Sequence, residues 1–146
     1  MKGYGMMKFQ WKQFAVVALA VVAMAGCASG GGYGMSDEDV IRGIVQDAMD
    51  SLAAGDIDAM MVAYADDFES DQGGGIAETK EFLVGAKEQG FLDDIKYSLE
   101  SLEITVDGDT AKAGPAELEG VFGALTLEFE LTKRDGRWWV TYQSQY

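Results

Sequence analysis

The chain has 146 residues with a single proline and 48% hydrophobic content, enough for one domain with a real core and too apolar for disorder throughout. Its 25 acidic residues against 11 basic ones give a formal net charge of -14, and such a surface repels phosphate backbones, so nucleic-acid binding is excluded. There is no histidine, and the one cysteine has no partner in the chain, which removes Ser-His, Cys-His and histidine-metal chemistry.

Residues 1–26 have the layout of an export signal. Lys8 and Lys12 give a basic start, with Met1, Met6 and Met7 as possible first residues, and Phe14 to Ala25 is a short apolar run. That run is well under the about 20 residues of a membrane span, and the glycines after Cys27 would fray a helix rather than extend it. Met24-Ala25-Gly26-Cys27 resembles the lipobox of bacterial lipoproteins. The resemblance implies that Cys27 becomes the first mature residue and carries diacylglyceryl plus an N-acyl group such as palmitate. Several acyl chains on one residue hold a protein firmly at a membrane. Ala28 stands where an aspartate would resemble an inner-membrane retention signal, so the expected location is the outer membrane, facing the periplasm. Residues 27–35 are the lipidated cysteine and a glycine-rich flexible tether.

The folded domain is expected over 36–146. Ser36 is placed as an N-cap ahead of Asp37, Glu38 and Asp39, and Ile41, Ile44, Val45, Ala48, Met49 and Leu52 follow at helical spacing up to Gly55. Asp56 caps a second predicted helix with Ile57, Met60, Met61, Tyr64 and Phe68 on its apolar side. Glycines 73 to 75 break the chain. A third helix is expected next, with Ile76, Phe82, Leu83 and Ala86 inward and Gly90 at its end. The period then falls to two. Ile95, Tyr97 and Leu99 alternate, then Leu102, Ile104 and Val106 in the opposite phase, which predicts a bulge near Ser101. Asp107-Gly108 turns into a strand interrupted at Gly114-Pro115, where proline fits only an edge or a bulge. Leu125, Leu127, Phe129 and Leu131 form the clearest strand, Asp135-Gly136 is a hairpin signal, and the last strand sets Trp138, Val140 and Tyr142 against Trp139, Thr141 and Gln143.

The expected class is α+β, with three N-terminal helices packed on a curved antiparallel β-sheet. Gly55 to Met61, then Tyr64-Ala65-Asp66-Asp67-Phe68, with the closing Asp135-Gly136-Arg137-Trp138-Trp139-Val140, resembles the nuclear-transport-factor-2-like superfamily of cone-shaped domains, which includes SnoaL-like proteins. The resemblance implies a pocket between sheet and helices. The predicted register aims Tyr64, Phe68, Tyr97, Phe129, Trp138 and Tyr142 toward that space, where each is either core or ligand contact. Trp139 is an aromatic on a polar strand face and the candidate for an interface, with a homodimer or a protein partner docked there.

The expected function is a membrane-anchored, non-catalytic cone domain that binds a small apolar ligand or a protein partner, without cofactor or metal. The alternative is an isomerase or hydratase of the ketosteroid-isomerase-like type, with Asp67 as a carboxylate base and Tyr97 as its hydroxyl partner. The acids around Asp107-Gly108-Asp109 and Asp66 to Asp71 match no twelve-residue calcium loop.

Overall fold

The computed structural model describes residues 34–146, and those from Ser36 to Tyr146 form one compact unit with its own core. Cys27, the export signal and most of the tether lie outside the described residues.

Helix α1 (Asp37–Ala53) starts where the sequence places it. Ser36 is extended, and its Oγ accepts from the Asp39 backbone N–H at 3.1 Å, with three acids in the first turn against the helix dipole. Ile41, Val45, Ala48, Met49 and Leu52 are buried. Gly55 leaves the helix at φ +71°, a left-handed value that only glycine adopts freely.

Helix α2 (Ile57–Met61) is capped by Asp56, whose Oδ1 accepts from Ala59 N–H at 3.0 Å. It stops far short of Phe68. Tyr64–Ser70 is instead strand β1, which runs parallel to the C-terminal strand with Tyr64 opposite Val140. The four-residue spacing of Tyr64 and Phe68 puts them on one side of a helix or of a strand alike, so periodicity could not decide; pairing with the sheet did. Their rings meet edge to face at 4.7 Å.

Helix α3 (Ile76–Glu88) follows, its first turn closed by Glu78, which accepts from Gly75 N–H at 3.0 Å. None of its residues is buried. Ile76, Leu83 and Ala86 only lean on the core, and Phe82, expected inward, is 71% exposed. The helix is held by polar contacts to the neighbouring α2 end: Lys80 pairs with Asp58, and Lys87 Nζ donates to Gly55 O at 2.7 Å.

Five further strands complete the sheet: β2 (Lys96–Ser98), β3 (Glu103–Asp107), β4 (Thr110–Gly120), β5 (Gly123–Arg134) and β6 (Arg137–Gln145). The order is β1-β6-β5-β4-β2, with β3 also on β4, and every pair except β1 with β6 is antiparallel. The predicted bulge near Ser101 is a turn, closed by Leu102 N–H to Leu99 O at 3.1 Å. It separates β2 from β3, which occupy the same edge of β4 at Glu117–Glu119 and Thr110–Gly114. Pro115 sits after a cis peptide within the expected bulge, where β4 advances from Ala113 to Ala116 while β5 moves from Phe129 to Leu127. Asp135 and Gly136 adopt positive φ and close the β5–β6 hairpin.

The result is α+β: helices against one face of a curved sheet that does not close. Trp138, Phe129, Leu131, Val140 and Phe68 from the sheet pack on Ile41, Val45 and Met49 of α1. Trp138 Nε1 donates to Asp37 Oδ1 at 2.9 Å, so the largest core residue is also tied to the start of α1.

Candidate functional site

Between the sheet and α3, none of whose residues is buried, an open cleft of about 1140 Å³ remains. Its floor is apolar: Leu118, Leu125 and Leu127 from β4 and β5, with Leu92 and Ile95 from the segment before β2. Leu52 and Met60 close the inner end. Three phenylalanines stand at the walls with much of their surface exposed: Phe82 on α3, Phe91 just beyond it, and Phe122 at the β4–β5 turn. Gly120 makes room for the last of these, since a Cβ there would stand 2.7 Å from Phe122 Cε1.

The other wall is polar and uncharged. Gln143 and Gln145 of β6 line it, with Ser70 and Gln72 beside them. Strict alternation would turn Gln143 away from the helices. Between the pairs Leu131–Val140 and Glu130–Tyr142, however, β6 advances two residues against one of β5, and the phase inverts. Gln143 then lies opposite Phe129 on the inner face, where its Oε1 accepts from Tyr64 Oη at 2.7 Å. Asp71 fixes this end of β6: its N–H donates to Gln143 O at 3.0 Å and its Oδ2 accepts from Gln145 N–H at 3.1 Å.

None of the six residues that the predicted register aimed at the pocket lines this cleft. Tyr64, Phe68, Phe129 and Trp138 are core. Burial without an ionic partner pushes the Tyr64 hydroxyl above its ordinary value. Tyr142 moves to the outer face with the same bulge that brings Gln143 in. Tyr97 donates to Asp50 of α1, and that bond, then burial, pushes its hydroxyl up to about 12. Trp139 keeps to the outer face opposite Thr132, with the Arg137 guanidinium 3.9 Å above its ring. The glutamine wall and Phe91 and Phe122 had escaped the sequence reading. Single aromatics beside glycines in turns were the available signal for the two phenylalanines.

The proposed acid-base pair is not assembled. Asp67 and Tyr97 belong to β1 and β2, at opposite ends of the strand order. Asp67 is exposed and holds Arg134 through two bonds of 2.7 and 2.9 Å, and that hydrogen bonding lowers its pKa. A general base of the expected kind needs the reverse, a desolvated carboxylate with a raised pKa. Among the described residues no charged side chain is buried, and no three potential metal ligands converge.

The same architecture recurs in solved structures. A protein of unknown function with a cystatin-like fold from Nostoc punctiforme superposes with a TM-score of 0.64 at 15% identity, over 77% of this chain and 91% of that one. A nuclear-transport-factor-2-like protein of unknown function from Pseudomonas putida gives 0.64 at 19% identity, over 77% and 88%. This chain has the cystatin-like, nuclear-transport-factor-2-like cone fold. An uncharacterized cystatin-like protein from Caulobacter vibrioides also matches, with a TM-score of 0.64 at 14% identity over 76% of this chain and 89% of that one. No protein-family model and no curated protein matches the sequence. At such identities the likeness establishes the fold alone, and the cone fold hosts unrelated activities.

Proposed function

We propose that the cone domain is a non-catalytic binding module that takes a small apolar molecule in the cleft beneath α3, and that acyl chains on Cys27 tether it to the outer membrane, facing the periplasm. The observation that carries the binding reading is a cleft of about 1140 Å³ under a helix with no buried residue, flanked by three exposed phenylalanines over a floor of core leucines. A helix that only leans on the core through Ile76, Leu83 and Ala86 and leaves Phe82 exposed gains little from tertiary packing, which supplies most helix stability. Exposed apolar surface gathered around a concavity is the usual mark of a ligand site. The tether reading rests on the lipobox resemblance at Met24 to Cys27. The isomerase or hydratase alternative has no buried carboxylate among the described residues to serve as its base.

The test uses the Ser36–Tyr146 unit, which contains every core residue among the described ones. Nile red, an uncharged apolar dye, is expected to bind with one site and to brighten. Leu83→Asp puts a charge on the partly exposed cleft side of α3 and is expected to abolish binding while the fold persists. No saturable binding by the native domain, or binding unchanged in Leu83→Asp, would remove the cleft as the site. Native mass spectrometry of the domain purified from cells then identifies a retained molecule.

A further inference from the structure

The lining of the cleft also restricts the charge of what enters it. Among the described residues no lysine or arginine lines it. The two cations of α3 are engaged elsewhere, Lys80 with Asp58 and Lys87 with the carbonyl of Gly55. The charged residues that do line it are Glu78 and Glu81, both exposed on α3. Glu78 is already used to cap Gly75 N–H at 3.0 Å. The remaining polar character is neutral amide and hydroxyl, concentrated at Gln143, Gln145 and Ser70.

An ionised carboxylate or phosphate brought from water onto a leucine floor loses hydration and needs a cation or several strong donors in return. Here the described lining offers no cation, only neutral donors and two solvated glutamates. A cationic head gains little more, because the floor carries no carboxylate and both glutamates are solvated. An uncharged head has a partner. Gln143 Oε1 accepts from the buried Tyr64 hydroxyl at 2.7 Å, which orients the amide and leaves its NH2 group, with two N–H donors, for another partner. That donor suits an ester, ketone or hydroxyl oxygen.

We propose that the cleft selects an uncharged amphiphile, with its alkyl or ring body on the leucine floor and an oxygen-bearing neutral head at the Gln143 wall, and discriminates against the anion with the same tail. This rests on the binding reading above and names its ligand class. At about 1140 Å³ the open space is slightly larger than the roughly 300–1000 Å³ of most small-molecule sites, which fits a lipid-sized body rather than a short metabolite.

Three compounds with one decyl-length tail test it: 1-decanoylglycerol, decanoate at a pH where it is ionised, and decyltrimethylammonium. Each is titrated against Nile red bound to the Ser36–Tyr146 domain, below its micelle concentration. The glyceride is expected to bind at least about tenfold more tightly than either ion. Glu81→Lys, which puts a cation at the cleft, is expected to raise decanoate affinity severalfold relative to that of the glyceride. Decanoate or the ammonium binding as tightly as the glyceride overturns the charge selection and leaves the cleft as a site. Decanoate affinity unmoved by Glu81→Lys overturns the missing cation as its cause. Failure of all three to displace the dye, or of the dye to bind, overturns the binding reading itself.

Discussion

Tyr64 Oη donates to Gln143 Oε1 at 2.7 Å, joining the first residue of β1 to the wall of the cleft across 79 positions of sequence. The phenol is buried and the amide sits at the surface of the cavity, so one bond both satisfies a core hydroxyl and fixes the orientation of a cleft residue. Gln143→Leu leaves that hydroxyl without its acceptor and is expected to destabilise the domain by about 1–3 kcal/mol, whereas Tyr64→Phe costs about 1 kcal/mol. The double substitution removes both polar partners and is expected to be less destabilising than the sum. Urea unfolding of the four proteins measures the coupling, and strict additivity would show that the bond contributes nothing.

The parts of this architecture that were legible in the sequence are those set by local chemistry. Ser36 and Asp56 cap helices, Asp107-Gly108 and Asp135-Gly136 turn hairpins, and Leu127, Phe129 and Leu131 alternate inward as their spacing requires. What stayed hidden depends on partners distant in the chain. Tyr64 and Phe68 fit a helix and a strand equally well, and only β6 decides between them. The bulge at Thr141 has no sequence mark, yet it exchanges Tyr142 for Gln143 at the inner face and so changes the candidate site. The cleft itself is an absence of packing under α3. Periodicity assigns an apolar residue to a side of its helix but does not say whether anything fills the space it faces.

Close approach of strands makes one glycine sensitive and another tolerant. A Cβ on Gly114 would lie 2.8 Å from Glu128 Cγ and 3.2 Å from its Cα, so β4 and β5 would have to separate at the bulge. Gly114→Ala is expected to destabilise by about 1–3 kcal/mol, as overpacking does. At Gly120 the obstacle is the half-exposed ring of Phe122, which can swing away. Gly120→Ala is therefore expected to change stability by less than about 0.5 kcal/mol, and to move the ring that flanks the cleft, which Nile red affinity would register. Thermal melts of the two variants side by side separate backbone crowding from a displaced side chain.

Acid should loosen the domain through carboxylates that are bonded in the folded state. Hydrogen bonds from Trp138 and Lys133 lower the pKa of Asp37, the Lys80 ammonium does so for Asp58, and the Arg134 guanidinium for Asp67. A carboxyl whose folded value lies below its ordinary 3.8 contributes stability that is complete above that value and is lost as pH falls through the lowered one. Stability is expected to be flat from neutral pH down to the carboxylate range and to drop below it. Asp37→Asn should flatten that drop, and Asp67→Asn should flatten it less, because its ion pair is exposed and screened. Urea midpoints across the acid range, at low and high salt, provide the comparison.

The alkaline limb has the opposite sign and a different residue. Tyr97 donates to Asp50, and because a carboxylate faces it, with Asp47 adding its charge, the phenol holds its proton up to about 12. A proton bound more tightly in the folded state stabilises fully below the ordinary tyrosine value of 10.0 and is lost as pH rises toward 12. Tyr97→Phe gives up the bond to α1 at neutral pH and is expected to lose stability by about 1 kcal/mol, with a shallower decline in alkali. Asp50→Asn should keep a hydrogen bond but bring the phenol back toward its ordinary value, which ultraviolet titration of the tyrosinate reads directly. If the titration in Asp50→Asn matches the native curve, the carboxylate is not what holds the proton, and β2 is tied to α1 by packing rather than by this bond.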